Sequence, residues 1–216
     1  MIKAVIFDMD GVIVDSEYAF LKKLREYLLS KNIGTELKDL YYLSGIEDFE
    51  LYSQIAKLSK STYEETRVDF KKYYNKSPMV YKDIQNEDTV EAIKILSGKF
   101  PLALASSSDM GDIDTVLDTC FLRRYFSVVT SGQSFKESKP NPEIYLHTAG
   151  LLKIRPEECL AVEDSNYGVR AAYNAKMHVV ARKDPHIPND ISLADFIVDD
   201  CRKIYRVIEK IDKNTN

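Results

Sequence analysis

Two acidic residues lie two positions apart near the start of the chain. Asp8 and Asp10 follow residues 2–6, a short apolar run rich in β-branched residues, and Gly11 comes directly after them. Such a run, punctuated by a glycine, predicts a buried strand that ends in a tight loop. Because side chains alternate along a strand, both carboxylates can face the crevice beyond its carboxyl end, where open α/β sheets bind their ligands. Paired anions there indicate a divalent metal site, an acid/base pair or both, and the structural alternative is a solvated acidic turn.

Hydroxyl groups and a lysine occupy similar places further along the chain. The string Ser106-Ser107-Ser108 follows residues 101–105, an apolar run that predicts another strand. Hydroxyl and backbone N–H groups at a strand-to-helix turn suit a phosphate group, although a serine there can also act only as a helix N-cap. Lys139 precedes another predicted helix, and a lysine taken alone is normally a surface charge.

A second acidic pair ends a later predicted strand. Glu163 and Asp164 follow the apolar residues 159–162. Together with Asp8 and Asp10, these carboxylates can be grouped in one place only around a cation. Mg²⁺ suits such a group, because it takes oxygen ligands and keeps several of its waters.

The order of these motifs resembles the haloacid dehalogenase superfamily of phosphotransferases, within the subgroup that contains β-phosphoglucomutase and many small phosphatases. The first motif, Asp-x-Asp-Gly-Val-x-x-Asp-Ser, matches residues 8–16, and Ser106 matches the second. Lys139, in the context Ser-Lys-Pro-Asn-Pro-Glu-Ile-Tyr, matches the third, and Glu163 with Asp164 matches the fourth. The resemblance covers the core from residue 2 to about residue 181.

The resemblance implies a covalent phosphoryl-transfer mechanism. Asp8 would be the nucleophile that forms an aspartyl phosphate, and Asp10 would donate a proton to the leaving oxygen and then accept one. Ser106 and Lys139 would stabilise charge on the phosphoryl oxygens.

The resemblance also implies a Mg²⁺ cofactor and a set of substrate-binding residues. The metal would be held by Asp8, the main-chain carbonyl of Asp10 and Asp164, with Glu163 nearby or acting through water. The substrate-binding candidates lie at the turns of the motifs and in the region after the first strand: Ser16, Gly45, Ser107, Ser108 and Asn141.

Alternating strands and helices predict an α/β protein with a doubly wound parallel sheet. Residues 16–77 interrupt that alternation with helical periodicity alone, too long for one crossover helix, and predict an inserted all-helical cap. The expected domains are a core of residues 1–15 and 82–216 and a cap of residues 16–81. A later helix is expected to begin at Pro142 and to end at Gly150.

The composition restricts the class of protein. The chain has 216 residues, a formal net charge of −4 and no basic block, so nucleic acid is not expected as a partner. No signal-peptide pattern or membrane-length apolar run stands out, which predicts a cytoplasmic protein with no membrane partner. The resemblance implies a small phosphorylated metabolite as the partner, and a monomer is expected. The three cysteines are widely spaced and fit neither a disulfide framework nor a metal site.

The predicted cap bears on the choice between two reactions. β-Phosphoglucomutases carry a lysine just before a cap-loop glycine and an arginine three residues after it, whereas Ser44 and Asp48 flank Gly45 here. Asp109 likewise stands where those enzymes have a lysine. These acidic and neutral residues favour a phosphatase acting on a small phosphomonoester, with β-phosphoglucomutase as the alternative. A non-catalytic binding protein is disfavoured by the complete motif set, and a dehalogenase by the proton donor and metal carboxylates.

Overall fold

The computed structural model describes residues 1–44, 46 and 48–214, and the chain divides into two compact units. One unit, the α/β unit, comprises Met1–Asp15 and Tyr81–Asn216, and the other, the helical unit, comprises Ser16–Val80. The strands are β1 (Ala4–Phe7), β2 (Leu102–Ser106), β3 (Phe126–Ser131), β4 (Cys159–Glu163), β5 (His178–Arg182) and β6 (Phe196–Val198). The helices are α1 (Ser16–Ser30), α2 (Asp48–Ser59), α3 (Tyr63–Lys76), α4 (Glu87–Ser97), α5 (Met110–Thr119), α6 (Glu143–Leu152), α7 (Asn166–Asn174) and α8 (Ile204–Asn214).

The α/β unit is built on one six-stranded parallel sheet. The strand order is β3-β2-β1-β4-β5-β6, and every neighbouring pair is parallel. The chain winds outward from β1 in one direction and then returns to β4 to wind in the other. The predicted doubly wound fold is thereby confirmed. Its topological switch point lies between β1 and β4, and the crevice at their carboxyl ends is where folds of this kind bind ligands.

Alternating side chains of the central strands face two separate apolar layers. In β1, Val5 and Phe7 pack with α4, α5 and α8, while Ala4 and Ile6 pack with α6 and α7. All four side chains are fully buried. Burial on both faces explains why the strand is an almost continuous apolar run and not an alternation of apolar and polar residues. The sheet is therefore a rigid support for the residues that follow its strand ends.

The strand ends differ from the predicted ones by one residue at two functional positions. Ser106 is the last residue of β2 and Glu163 the last of β4, whereas the sequence placed both just beyond the strands. Polar residues were excluded from the predicted strands because they break an apolar run. Main-chain pairing continues through them here, since Ser106 pairs with Ser131 and Glu163 with Ala181.

The predicted end of α6 is wrong. The helix continues through Gly150 to Leu152 and ends at Lys153, which has a left-handed φ of 59°. The N–H of Ile154 donates to the carbonyl of Ala149 across this turn. Leu152 and Ile154 both pack against the apolar core, and this contact favours the later end over a glycine stop.

The helical unit is packed by aromatic and leucine side chains. A capping box begins α3, because the Thr62 hydroxyl accepts from the Glu65 N–H and the Glu65 carboxylate accepts from the Thr62 N–H. Residues Leu37–Leu43 form a 3-10 helix. Phe70 is buried at the centre of the unit. None of the described helices is both long and apolar enough to cross a bilayer.

Candidate active site

Three buried acidic side chains meet at the carboxyl ends of the two central strands. Asp8 directly follows β1, and its N–H donates to the carbonyl of Val162 in β4 over 2.9 Å. Glu163 ends β4 and Asp164 follows it. Asp8, Glu163 and Asp164 are 7%, 0% and 5% exposed, and each offers an oxygen within 4.8 Å of oxygens from the other two. We call these three residues the acidic cluster.

Lys139 binds two members of the acidic cluster. Its Nζ donates to Asp8 Oδ1 at 2.6 Å, to Glu163 Oε1 at 2.7 Å and to the main-chain carbonyl of Ala105 at 3.1 Å. Burial acts to lower the pKa of Lys139, but the charges of Asp8 and Glu163 outweigh it and hold that pKa above its ordinary value. The lysine is therefore a fixed cation beside the Asp8 carboxylate.

One lysine does not compensate three buried carboxylates. Burial, followed by the charge of Glu163, raises the pKa of Asp8 to about 8 in the protein alone. Burial, followed by the charges of Glu163 and Asp8, raises the pKa of Asp164 well above its ordinary range. Oxygen donors that repel one another in a buried place fit a hard divalent cation such as Mg²⁺.

Two glycines leave room for the acidic carboxylates. A Cβ added at Gly11, which has a φ of +75°, would lie 1.9 Å from Asp164 Oδ2. A Cβ added at Gly168, in the first turn of α7, would lie 2.0 Å from Glu163 Oε2. Any larger residue at either position must displace a carboxylate of the acidic cluster.

The serine turn after β2 is bonded to the first loop. The hydroxyl of Ser108 donates to Asp10 Oδ2 at 2.7 Å, and the Ser108 N–H donates to Ser106 Oγ at 3.1 Å. Ser106 is fully buried, and Ser107 is exposed in the same turn. The structure thus brings Asp10 and Ser106 together through Ser108.

A family model for haloacid dehalogenase-like hydrolases matches residues 5–182, which include every residue of this site. The chain belongs to the haloacid dehalogenase-like hydrolase family. The family predicted from the four motifs is confirmed.

Relatives of this hydrolase include phosphatases of sugar phosphates. It is 27% identical over 176 residues to fructose-1-phosphate phosphatase YqaB of Escherichia coli, and the alignment covers 82% of this chain and 94% of that relative. It is 30% identical over 183 residues to a phosphorylated carbohydrates phosphatase of Thermotoga maritima, and that alignment covers 80% of this chain and 81% of the relative. Its fold matches a crystal structure of β-phosphoglucomutase from Clostridium difficile with a TM-score of 0.73 and 24% identity. The match covers 100% of this chain and 99% of that structure.

Three of the predicted substrate-binding residues lie outside the serine turn: Asn141, Ser16 and Gly45. Asn141 makes local bonds, because its Oδ1 accepts from the Glu143 N–H and its Nδ2 donates to Glu137. Ser16 begins α1 in the helical unit. Gly45 lies outside the described residues. Roles in substrate binding for these three positions remain predictions.

Two residues at the edge of the predicted cap loop and serine turn are held locally. The Ser44 hydroxyl donates to Glu17 Oε2 at 3.0 Å, within the helical unit. Asp109 is the N-cap of α5, and its Oδ1 accepts from the Asp112 N–H at 2.9 Å. Asp109 therefore has a structural role as a helix cap, whereas the sequence indicated only that it replaces a lysine of β-phosphoglucomutases.

Tyr145 is a residue of the site that the sequence analysis did not select. It is fully buried in the first turn of α6, and its hydroxyl donates to Glu163 Oε1 at 2.5 Å. Lys139 Nζ lies 5.1 Å from the centre of its ring. The available signal was its position six residues after Lys139 at the start of a predicted helix. That signal is weak, because an aromatic residue there is equally suited to the apolar core.

Proposed function

We propose that this hydrolase is a Mg²⁺-dependent phosphatase that cleaves a small phosphomonoester through an aspartyl phosphate on Asp8. The observation that carries the proposal is that Asp8 lies beside a fixed cation, Lys139, and is grouped with two further buried carboxylates at the topological switch point. A carboxylate nucleophile splits the hydrolysis into two displacements at phosphorus. The site supplies positive charge and metal ligands next to Asp8.

In the first displacement, an oxygen of Asp8 attacks phosphorus and the bond to the ester oxygen breaks. Asp10 donates a proton to that oxygen, so the product leaves as a neutral alcohol. In the second displacement, Asp10 accepts a proton from a water molecule, whose oxygen attacks the phosphorus of the aspartyl phosphate. Inorganic phosphate leaves and the Asp8 carboxylate is restored. The hydrogen bond from Ser108 to Asp10 Oδ2 supports this role, because it orients the carboxyl group that moves the proton.

Groups that the fold already holds in place can stabilise the negative charge on the phosphoryl oxygens. Lys139 reaches Asp8 Oδ1 without a change of position, so it can bind a phosphoryl oxygen next to the nucleophile. Ser106 and the serine turn offer a hydroxyl and N–H groups at the carboxyl end of β2. Since these groups are ordered by the sheet, little reorganisation accompanies the reaction.

The acidic cluster fits a Mg²⁺ ion in its donor chemistry. Asp8, the main-chain carbonyl of Asp10 and Asp164 would hold the ion, which when bound neutralises negative charge on the phosphoryl oxygens. Glu163 is already occupied, because Oε1 accepts from Lys139 and Tyr145 while Oε2 accepts from the Asp164 N–H. We therefore assign Glu163 to orienting Lys139 and to binding the metal through water.

A phosphorylated sugar or a similar small metabolite is the proposed substrate. The named activities of the relatives from E. coli and T. maritima support this class, because both proteins act on phosphorylated carbohydrates. The match to a β-phosphoglucomutase concerns the fold alone. Since Asp109 places a negative charge at the serine turn, a bisphosphate intermediate would meet repulsion there, and hydrolysis is favoured over intramolecular transfer.

The proposal is tested by measuring phosphate release from a panel that contains fructose 1-phosphate, phosphoglycolate and β-glucose 1-phosphate. The purified protein is assayed with Mg²⁺ and with chelator, and Asp8→Asn serves as the control for contaminating phosphatases. We expect Mg²⁺-dependent release from at least one sugar phosphate. Conversion of β-glucose 1-phosphate to glucose 6-phosphate with little free phosphate would contradict the phosphatase and support the mutase.

A further inference from the structure

A buried arginine and an asparagine hold the loop that follows the two catalytic aspartates. Arg182, the last residue of β5, donates from NH1 to the carbonyl of Gly11 at 3.2 Å and from NH2 to Asn86 Oδ1 at 3.0 Å. Asn86 Nδ2 donates to the same carbonyl at 3.3 Å and to the carbonyl of Val12 at 3.0 Å. We call Arg182 and Asn86 the loop clamp. Neither residue belongs to the four motifs.

The loop clamp holds three consecutive carbonyl groups. Besides its side-chain bonds, Asn86 donates its main-chain N–H to the carbonyl of Ile13 at 2.8 Å. Carbonyl groups in a tight loop lack the partners that a strand would supply, so each one needs a donor from elsewhere. The loop clamp supplies those donors for residues 11–13, immediately after Asp10.

The same loop also lies against the acidic cluster. A Cβ at Gly11 would lie 1.9 Å from Asp164 Oδ2, so the Gly11 backbone already contacts the carboxylate that would bind the metal. Movement of the loop toward Asp164 is blocked by this contact. The bonds to Arg182 and Asn86 hold the carbonyl groups of the same loop. The clamp and the metal ligand therefore set the position of the loop together.

Arg182 is a costly residue to bury for stability alone. It is 8% exposed, and its ion-pair partner Asp88 is distant, with Oδ1 3.7 Å from NH2. Within the part of the chain that the structure describes, Arg182 Nε is buried without a hydrogen-bond partner. Replacing a buried ion pair with apolar side chains is often neutral for stability, so the burial of an arginine is weak evidence that it stabilises the fold. The forked guanidinium is needed instead to reach Gly11 and Asn86 together.

We infer that Arg182 and Asn86 are positioning residues for phosphoryl transfer, which hold the Asp10–Gly11 backbone at the distance from Asp164 that the reaction requires. They act through the loop and touch neither the substrate nor the reacting atoms. This inference rests on the proposed phosphatase function. Small displacements of reacting groups reduce turnover strongly, while the binding of the remainder of the substrate is unaffected.

The test compares Arg182→Met with Ile208→Ala, a control that removes buried apolar volume from α8 in the same unit. Phosphate release gives kcat and KM, and hydrogen exchange reports on the backbone of residues 8–14. For Arg182→Met we expect kcat to fall roughly 10- to 100-fold with KM changed less than about twofold, and exchange in the loop to become faster. Ile208→Ala should lower the melting temperature and leave kcat and loop exchange unchanged.

Two further variants decide the outcome if Arg182→Met does not fold. Asn86→Ala removes the donor to Gly11 and Val12 and should reproduce the loss of kcat. Arg182→Lys keeps the charge but lacks the fork, so it should restore only part of the activity. Wild-type kcat and slow loop exchange in both folded variants would overturn the inference. An inactive wild-type protein would instead reject the proposed function, and the loop exchange of the variants would still test the clamp.

Discussion

Both units of the chain bury apolar side chains, but they differ in what else lies in their interiors. The α/β unit buries the acidic cluster, in which Asp8 and Asp164 have raised pKa values because burial and mutual repulsion disfavour their charged forms. The helical unit buries rings: Phe70 lies 5.0 to 6.3 Å, between ring centres, from the rings of Phe20, Tyr27, Tyr52 and Tyr74.

This difference separates chemistry from stability. Buried like charges oppose folding, and they persist where a ligand or a reaction uses them. Aromatic rings in edge-on and tilted contact favour folding through buried area and ring electrostatics. Among the described residues, the acidic cluster is a group that could hold a metal ion, and the helical unit has no comparable group. Substitutions in the acidic cluster should therefore lower activity, whereas substitutions of the buried rings in the helical unit should lower stability.

The largest effect is expected at Asp8. Asp8→Asn replaces the nucleophile with an amide of nearly the same shape, so phosphate release should fall by at least about 10³-fold while the protein still folds. Phosphate release and thermal melting measure the two properties. Retention of more than a few per cent of the activity, measured against a mock purification, would reject Asp8 as the nucleophile.

The reverse outcome is expected at Phe70. Phe70→Ala removes the ring at the centre of the helical unit and should lower the free energy of unfolding by about 3–5 kcal/mol. Urea unfolding measures this loss, and Phe70→Leu is the control, since it keeps most of the volume. Affinity for Mg²⁺, measured by calorimetry on the folded protein, should remain unchanged. A lost Mg²⁺ affinity with intact stability would break the separation of chemistry from stability.

A smaller effect is expected from loss of one metal ligand. Mg²⁺ should raise the melting temperature of the wild-type protein, because a ligand that binds only the folded state stabilises it. Asp164→Ala should weaken the affinity for Mg²⁺ by at least about 10-fold and reduce this thermal shift. Glu157→Gln, at an exposed carboxylate of the same unit, serves as the control. Full activity of the wild-type protein in chelator would contradict the metal site.

The smallest effect is expected at Tyr145. Tyr145→Phe keeps the ring beneath Lys139 and removes only the hydroxyl that donates to Glu163. A hydrogen bond to a charged group contributes at most about 1.5–3 kcal/mol of free energy. Because Glu163 also orients Lys139, we expect kcat to be several-fold lower. Tyr173→Phe, at an exposed tyrosine, should change nothing. An unchanged kcat in Tyr145→Phe would restrict this hydroxyl to a structural role.

The sequence was sufficient to predict, to within one residue, which polar residues lie at the carboxyl ends of the central strands. Asp8, Ser106 and Glu163 are polar residues at the ends of apolar runs, and parallel strands bring such ends together. The alternation of strands and helices was likewise visible, because the central strands are buried on both faces and are therefore short apolar runs.

There is a physical reason why the sequence did not predict the residues that support the site, Arg182, Asn86 and Tyr145. Arg182 and Asn86 act through bonds to main-chain carbonyl groups, and such bonds need no particular sequence at the loop they hold. Tyr145 has the same pattern as a core residue, since only its hydroxyl distinguishes it. The end of α6 depended on the packing of Leu152, a tertiary contact that local glycine preference does not reveal.

The central claim is that the phosphoryl group passes through Asp8, and covalent trapping tests it most directly. Asp10→Asn lacks the group that accepts a proton from water, so it should accumulate the intermediate when it is given a phosphomonoester with an acidic leaving alcohol. The reaction is quenched with acid, and the modified residue is located by mass spectrometry of the peptide that contains residues 4–14. The account predicts a phosphoryl group on Asp8, and its absence in the doubly substituted Asp8→Asn, Asp10→Asn protein. Turnover by the wild-type enzyme with a phosphoryl group on any other residue would contradict the account.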